Sequence, residues 1–289
     1  MKPSTTAATA AAGNSFGFFV MRRLRLAAVT TLVALAMCLW LRARHLALRS
    51  DAFDSGWVLA VLVLLLAAYN LRKKLSFLPL GRSSTWLQLH IYLALLSVVA
   101  FAAHTHLRLP RGPLEISLAC LYLGVAGSGT AGLVLTRVLP ACLSTRGEEV
   151  IFERIPQFRR KLRMLAEIAV LRSVTEADQT TLSDFYTRRL ARFFAGPRNF
   201  WLHLFQSQRA RRRLLAELAD LDRYLNPAER EIAAELRDLV EAKDDLDYHH
   251  ALQATLKGWL FVHLPLTYSL LLVGAVHVLV VHAFRGGAL

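Results

Sequence analysis

Hydrophobic positions gather into five runs along this chain, at residues 24–41, 56–71, 86–104, 114–136 and 259–283, separated by short basic loops and one long polar segment. An α-helix crosses a hydrocarbon core with about 20 apolar residues. Each run therefore predicts a membrane-spanning helix, the first two being short for the purpose. The first run follows Met21-Arg22-Arg23-Leu24-Arg25, as a signal peptide would. It continues to Leu41, meets Arg42 and Arg44, and offers no small-x-small cleavage site, so it reads as a retained helix. Residues 1–20 open with an Ala-, Thr- and Ser-rich stretch and predict a disordered tail.

Between the fourth and fifth runs the pattern changes. Residues 140–258 carry apolar positions at helical spacing, with Leu162, Leu165, Ile168 and Leu171 on one face of a helix over 158–174. Further helices are predicted over 182–194 and 200–225, parted by Gly196-Pro197. Asn226-Pro227 supplies an N-cap and a first-turn proline for a last helix, expected to run to Lys257 before Gly258 and Trp259 enter the membrane. The predicted fold is all-α: a helical membrane bundle with spans 1–4 in residues 21–139, a helical insert in 140–258, span 5 in 259–284 and a tail in 285–289.

Composition agrees with a membrane protein: 289 residues, 55% hydrophobic, mean hydropathy +0.38. The net charge of +14 suggests nucleic acid until its distribution is followed. Residues 146–257 hold 20 basic against 18 acidic side chains, and the rest of the chain 15 against 3, so the excess flanks the spans. Lys2, Arg22, Arg23 and Arg25 precede span 1, and Arg72, Lys73, Lys74 and Arg82 lie between spans 2 and 3. The positive-inside rule then puts the N-terminus and the insert in the cytoplasm and the C-terminus on the outer side of the inner membrane. Arg42, Arg44, Arg49, Arg108 and Arg111 oppose this bias. The arginine run Arg209 to Arg213 lacks interleaved aromatics and passes into Glu217, Asp220 and Asp222, so it reads as a solvated or headgroup-facing helix. Cys38, Cys120 and Cys142 imply neither a disulfide framework nor zinc, and no Cys-x-x-Cys-His is present for covalent haem.

The candidate chemistry lies in two histidine pairs of equal spacing, His90 with His104 in span 3 and His263 with His277 in span 5. Fourteen residues of helix turn through about 1,400° and rise about 21 Å, so both histidines of a pair share one face. With spans 3 and 5 parallel, four imidazoles fall at two levels, His90 with His263 and His104 with His277, each level able to hold one haem iron. Ionisable groups within a span are costly and functional by default. His106 faces away from His90 and is a substitute ligand only if span 3 is distorted, while His45 and His282 read as interfacial. His249 and His250 read as surface or docking residues. Arg108 and Arg111 on one side and Lys73, Lys74 and Arg82 on the other are candidate partners for haem propionates. Gly127, Gly129 and Gly132 spell GxGxxG inside span 4, but no strand precedes them, so close helix packing or clearance for a macrocycle replaces dinucleotide binding. Pro265, two residues beyond His263, is expected to kink span 5.

The paired histidines resemble the ferric reductase-like transmembrane domain, the diheme core shared with NADPH oxidases and related bacterial b-type cytochromes. The resemblance covers roughly residues 56–139 and 259–283. It implies two b haems, ligated by His90 with His263 and by His104 with His277. The pattern departs from the family in having no sixth span and no flavin and nicotinamide domains after span 5, so NADPH oxidation within this chain is not expected. The helical insert is also foreign to the pattern. The expected function is a membrane cytochrome b subunit that passes electrons between a quinone, or a cytoplasmic donor, and an iron-sulfur or cytochrome partner. No complete active site is legible. A haem-free anchor or assembly subunit, and a transporter with histidine relays, are the competing readings.

Overall fold

The computed structural model describes residues 5–46, 51–74, 83–146, 150–176 and 180–285. Every regular element among them is helical. Five helices are long and apolar enough to cross a membrane: α1 (Thr5–Leu46), α2 (Asp51–Lys74), α3 (Ser83–Thr105), α4 (Pro113–Leu143) and α10 (Pro227–Arg285). Their large apolar side chains stand exposed, Leu64, Leu95, Leu123 and Leu272 among them, as expected of helices whose solvent is lipid. The chain is therefore a helical membrane protein.

The helix α1 begins at Thr5, within the segment whose composition predicts a disordered tail. Alanine is the strongest helix former, and the segment contains a run of them.

The chain divides into two compact units. Unit 1 comprises Met1–Gly127 with Leu264–Leu289, and unit 2 comprises Ser128–His263. The division falls inside α4 and α10, each of which contributes one part to either unit.

In unit 1, α2 and α3 pack along one another and α1 lies against both. Polar contacts inside the bundle fix the register. Arg44 pairs with Asp54 at 2.5 Å, Ser97 Oγ lies 3.0 Å from the Tyr122 hydroxyl, and Asn70 Nδ2 donates to Tyr268 at 2.7 Å. Phe101 stacks on Tyr122 with centroids 4.1 Å apart.

Unit 2 carries the polar segment, built from α5 (Ile155–Glu176), α6 (Thr181–Phe185), a π-turn (Tyr186–Leu190), α7 (Ala191–Ala195), α8 (Phe200–Leu204), α9 (Arg209–Asp220) and the first half of α10. Its core joins Ala166 and Val170 of α5 to Leu182, Leu190, Phe194, Leu218, Leu236 and Val240. The helix expected over 200–225 is broken after Leu204. Gln206 sits at φ 57°, and the chain restarts as α9 at Arg209.

The α10 helix opens as its sequence predicts. Asn226 Oδ1 accepts from the Glu229 backbone N–H at 2.8 Å, and Glu229 Oε2 accepts from the Asn226 N–H at 3.1 Å, a capping box in front of Pro227. From there the helix is continuous for 59 residues, passing through Gly258 and Pro265. Its first half is densely charged and its second half apolar from Trp259 onward, so only the second half suits a hydrocarbon environment.

Candidate functional site

His90, His104 and His277 belong to unit 1, and His263 to unit 2. Within unit 1 the chain brings His104 and His277 together. Their ring centroids are 6.5 Å apart, with planes inclined at 80°. A metal–imidazole bond is about 2 Å long and a ring centre lies about 1.2 Å from its nitrogen, so two imidazoles on opposite sides of one metal ion have centroids about 6–6.5 Å apart. The observed separation would leave room for a metal ion between the two rings.

The His104 ring is held from α2. Its Nδ1 donates to the Ala52 carbonyl at 3.0 Å, with Ser55 Oγ at 3.3 Å from the same nitrogen. A proton on Nδ1 leaves Nε2 as the lone-pair nitrogen, the tautomer a metal ligand needs. Gly56 lets the ring come this close, because a Cβ there would stand 3.0 Å from His104 Cε1. Ala52, Ser55 and Gly56 were not legible as site residues. Beside Ser55 lies a cavity of ≈ 420 Å³ whose walls include Leu41, Arg42, Ala103 and His106.

His90 sits against Tyr69, ring centroids 5.1 Å apart. His263 has Nδ1 at 2.8 Å from Ser128 Oγ and its ring stacked on Trp259, 5.4 Å between centroids. Trp259 also donates from Nε1 to the Ser128 carbonyl at 2.7 Å and lies flat against Gly132, where a Cβ would collide with the indole. Gly132 thus serves close packing of Trp259, while a Cβ at Gly129 would stand 3.6 Å from His263 Cε1. The pairing of His90 with His263 rests on sequence spacing alone.

The remaining candidates separate. Arg108 and Arg111 lie exposed in the turn after α3, where the Arg111 backbone N–H is bound by Glu115 at 3.0 Å. Lys73 and Lys74 end α2, while their side chains and the whole of Arg82 lie outside the described residues. The α3 helix runs undistorted to Thr105, leaving His106 at φ 48° in the turn beyond it. His282 packs against Phe53 and Trp57, and the His45 side chain lies outside the described residues.

His249, expected at the surface, is instead 1% exposed, its Nε2 donating to the Arg146 carbonyl at 2.7 Å. The neighbouring His250 is stacked on Phe152. His249 belongs to a buried polar cluster that sequence reading missed. The buried Lys243–Asp247 pair is flanked by Arg159, 3.7 Å from Asp247, while Asp244 lies 3.8 Å from Arg146 and 3.6 Å from His203. Burial pushes the His203 imidazole down to about 4, helped by Arg146 and Lys243. It also raises the Asp244 carboxyl to about 6 against the pull of Arg211 and Arg146. Lys243, Asp244 and Asp247 lie within one stretch of α10, and all three are buried. Their burial depends on α5 and α8, which are distant in sequence.

Among the described residues, no group of three or more His, Cys, Asp or Glu is gathered to hold a metal ion. Compared with known proteins, the chain matches no family model, no curated protein and no solved structure. Fold and site together define a class: a five-span helical membrane protein with a polar helical segment between its last two spans and a close histidine pair inside its bundle.

Proposed function

We propose that this chain is a membrane cytochrome b subunit, similar to the ferric reductase-like diheme core, that carries electrons across the inner membrane between a quinone or cytoplasmic donor and a redox protein on the other side. The observation that carries the reading is the His104–His277 pair, spaced as two ligands of one iron and with the His104 tautomer set by Ala52. His104 and His277 would hold one b haem, and spacing assigns His90 and His263 to the second. A bis-histidine haem supplies one-electron transfer without an open iron position. The chain's own part is to hold the imidazoles. Ala52 and Ser55 orient His104, Gly56 admits it, and apolar spans keep water from the rings. Arg108 and Arg111 would neutralise propionates on one side, with Lys73, Lys74 and Arg82 on the other. The cavity beside Ser55 is of small-ligand size and is where a quinone would come within reach of His104. Basic flanks favour a cytoplasmic N-terminus and polar segment. Iron-sulfur or cytochrome subunits are the partners this reading requires.

One observation favours a second reading, a haem-free anchor or assembly subunit: His263 makes the stacking and hydroxyl contacts that a merely packed histidine would make. The test is a dithionite-reduced minus oxidised spectrum of the purified chain with a pyridine haemochrome assay. Two b haems per chain are expected. A colourless protein from haem-replete cells would discard the cytochrome reading and favour the anchor.

A further inference from the structure

The segment 196–213 has a surface that electron transfer does not use. The α8 helix is short and set apart on both sides by residues in the left-handed region, Asn199 and Gln206, each at φ 57°. One face of α8 is tied down within unit 2. Phe200 and Leu204 pack against Leu139 and Leu143 at the end of α4 and against Tyr248 and Leu252 of α10. The Tyr248 hydroxyl bridges the Cys142 carbonyl (3.0 Å) and the Gln206 side-chain amide (2.9 Å). These contacts fix the height of α8. It lies beside the last turns of one span and the turns of α10 that precede its apolar half, so it sits at the edge of the layer both helices cross.

The opposite face is apolar and open: Trp201 is 67% exposed and Phe205 76%. Tryptophan concentrates at headgroup level in membrane proteins, where its ring and its N–H find both solvents, and Phe205 extends the apolar face beside it. Cations stand next to them. Arg189, Arg192 and Arg198 line an open hollow of ≈ 150 Å³ together with Phe193 and Asn199, and Arg198 Nε donates to the Arg192 backbone carbonyl at 3.2 Å, which ties the Arg198 side chain to α7. Glu217 is the carboxylate paired with Arg189. Guanidinium groups bind phosphate oxygens in a fork that ammonium groups cannot match.

We propose that α8 is an interfacial anchor: Trp201 and Phe205 enter the headgroup region of the bilayer, and the hollow of Arg189, Arg192 and Arg198 receives the phosphate of an anionic phospholipid. The partner is the membrane's own surface, and the inference is independent of haem. Aromatic insertion holds α8 against the bilayer, and the arginines add a preference for negatively charged lipid.

The full chain is reconstituted into nanodiscs of phosphatidylcholine, alone or mixed with phosphatidylglycerol, using acyl chains brominated near the headgroup. Subtracting the emission of Trp201→Phe from that of the unsubstituted chain isolates Trp201. In anionic discs its emission should fall by roughly half or more and be shielded from aqueous acrylamide. The double substitution Arg192→Gln with Arg198→Gln should return quenching to the level in neutral discs. A Trp201 signal open to acrylamide and untouched by brominated lipid in both discs would overturn the anchor. Anionic-disc quenching left unchanged by the arginine substitutions would overturn the phosphate site. So would millimolar inorganic phosphate that reproduced the anionic-lipid effect in neutral discs, since the hollow would then take a free anion.

Discussion

The two units bury histidine in opposite ways. In unit 1 His104 meets no charged partner: a backbone carbonyl takes its Nδ1 proton, a glycine makes room for its ring, and another imidazole stands 6.5 Å away. In unit 2 His203 lies among charges, 3.6 Å from Asp244, with neither ring nitrogen hydrogen-bonded to a protein atom. The first arrangement fixes a tautomer and presents a lone pair. The second suppresses protonation and ties a histidine to the ionisation of its neighbours. Residue type therefore says little about role. What occupies the ring nitrogens, and which charges lie within a few ångströms, decides whether a buried imidazole is poised to bind a metal or serves the packing of a charged core.

The largest effect should come from breaking the unit 1 pair. If the proposed cytochrome reading holds, His104→Ala and His277→Ala should each abolish the same spectral component, because one haem would lose a histidine that holds it in either case. The other component should remain, and it should be the one lost in His90→Ala and His263→Ala. Reduced-minus-oxidised spectra of the four variants decide this. If His104→Ala and His277→Ala removed different components, their 6.5 Å separation would be only a packing contact.

A smaller effect separates the unit 2 arrangement from the first. Asp244 has a folded pKa raised from 3.8 to about 6. Its contribution to stability is therefore fully present below pH 3.8 and lost as pH rises through about 6. His203 is lowered from 6.5 to about 4, so its contribution is present above pH 6.5 and lost as pH falls through about 4. Across the shared window the two slopes oppose each other, and stability should be nearly flat with pH. Each shift corresponds to about 3 kcal/mol. Asp244→Asn should unmask His203, giving a protein that weakens on acidification from pH 6.5 to 4. Conversely, His203→Asn should give one that strengthens from pH 6 to 4. Thermal unfolding across that range is the check, and parallel slopes in the two variants would remove the coupling.

The difference between the units also explains what could be read from sequence. The five spans were legible because hydropathy is written in consecutive residues, and the histidine pairs because equal spacing on a helix means a shared face. The support of His104 was hidden. A carbonyl at Ala52 and a missing Cβ at Gly56 have no side-chain signature, and they reach His104 only because α2 packs on α3. The place of His249 was misread, and the charged cluster around it missed, for a related reason. Asp244 and His249 look like solvated positions in a polar helix until α5, α8 and Arg146 close over them. The break after Leu204 was equally silent, since Gln206 carries no glycine or proline cue for its left-handed backbone.

The smallest effect tests whether the units are separable in energy although α10 runs through both. Asn226 caps α10 in the polar half, satisfying the Glu229 N–H while Glu229 satisfies the Asn226 N–H. Asn226→Ala should cost about 1 kcal/mol, the usual loss for an N-cap. That is enough to lower the melting temperature of unit 2 by roughly 2–4 °C. Helix-end effects die out within about a turn, so the distant apolar half, with His263 and His277, should not feel the change. The haem bands that the proposed function expects should therefore stay as they are while the thermal transition moves. A shift in both would mean that α10 transmits strain along its whole length and that the polar and membrane halves unfold as one.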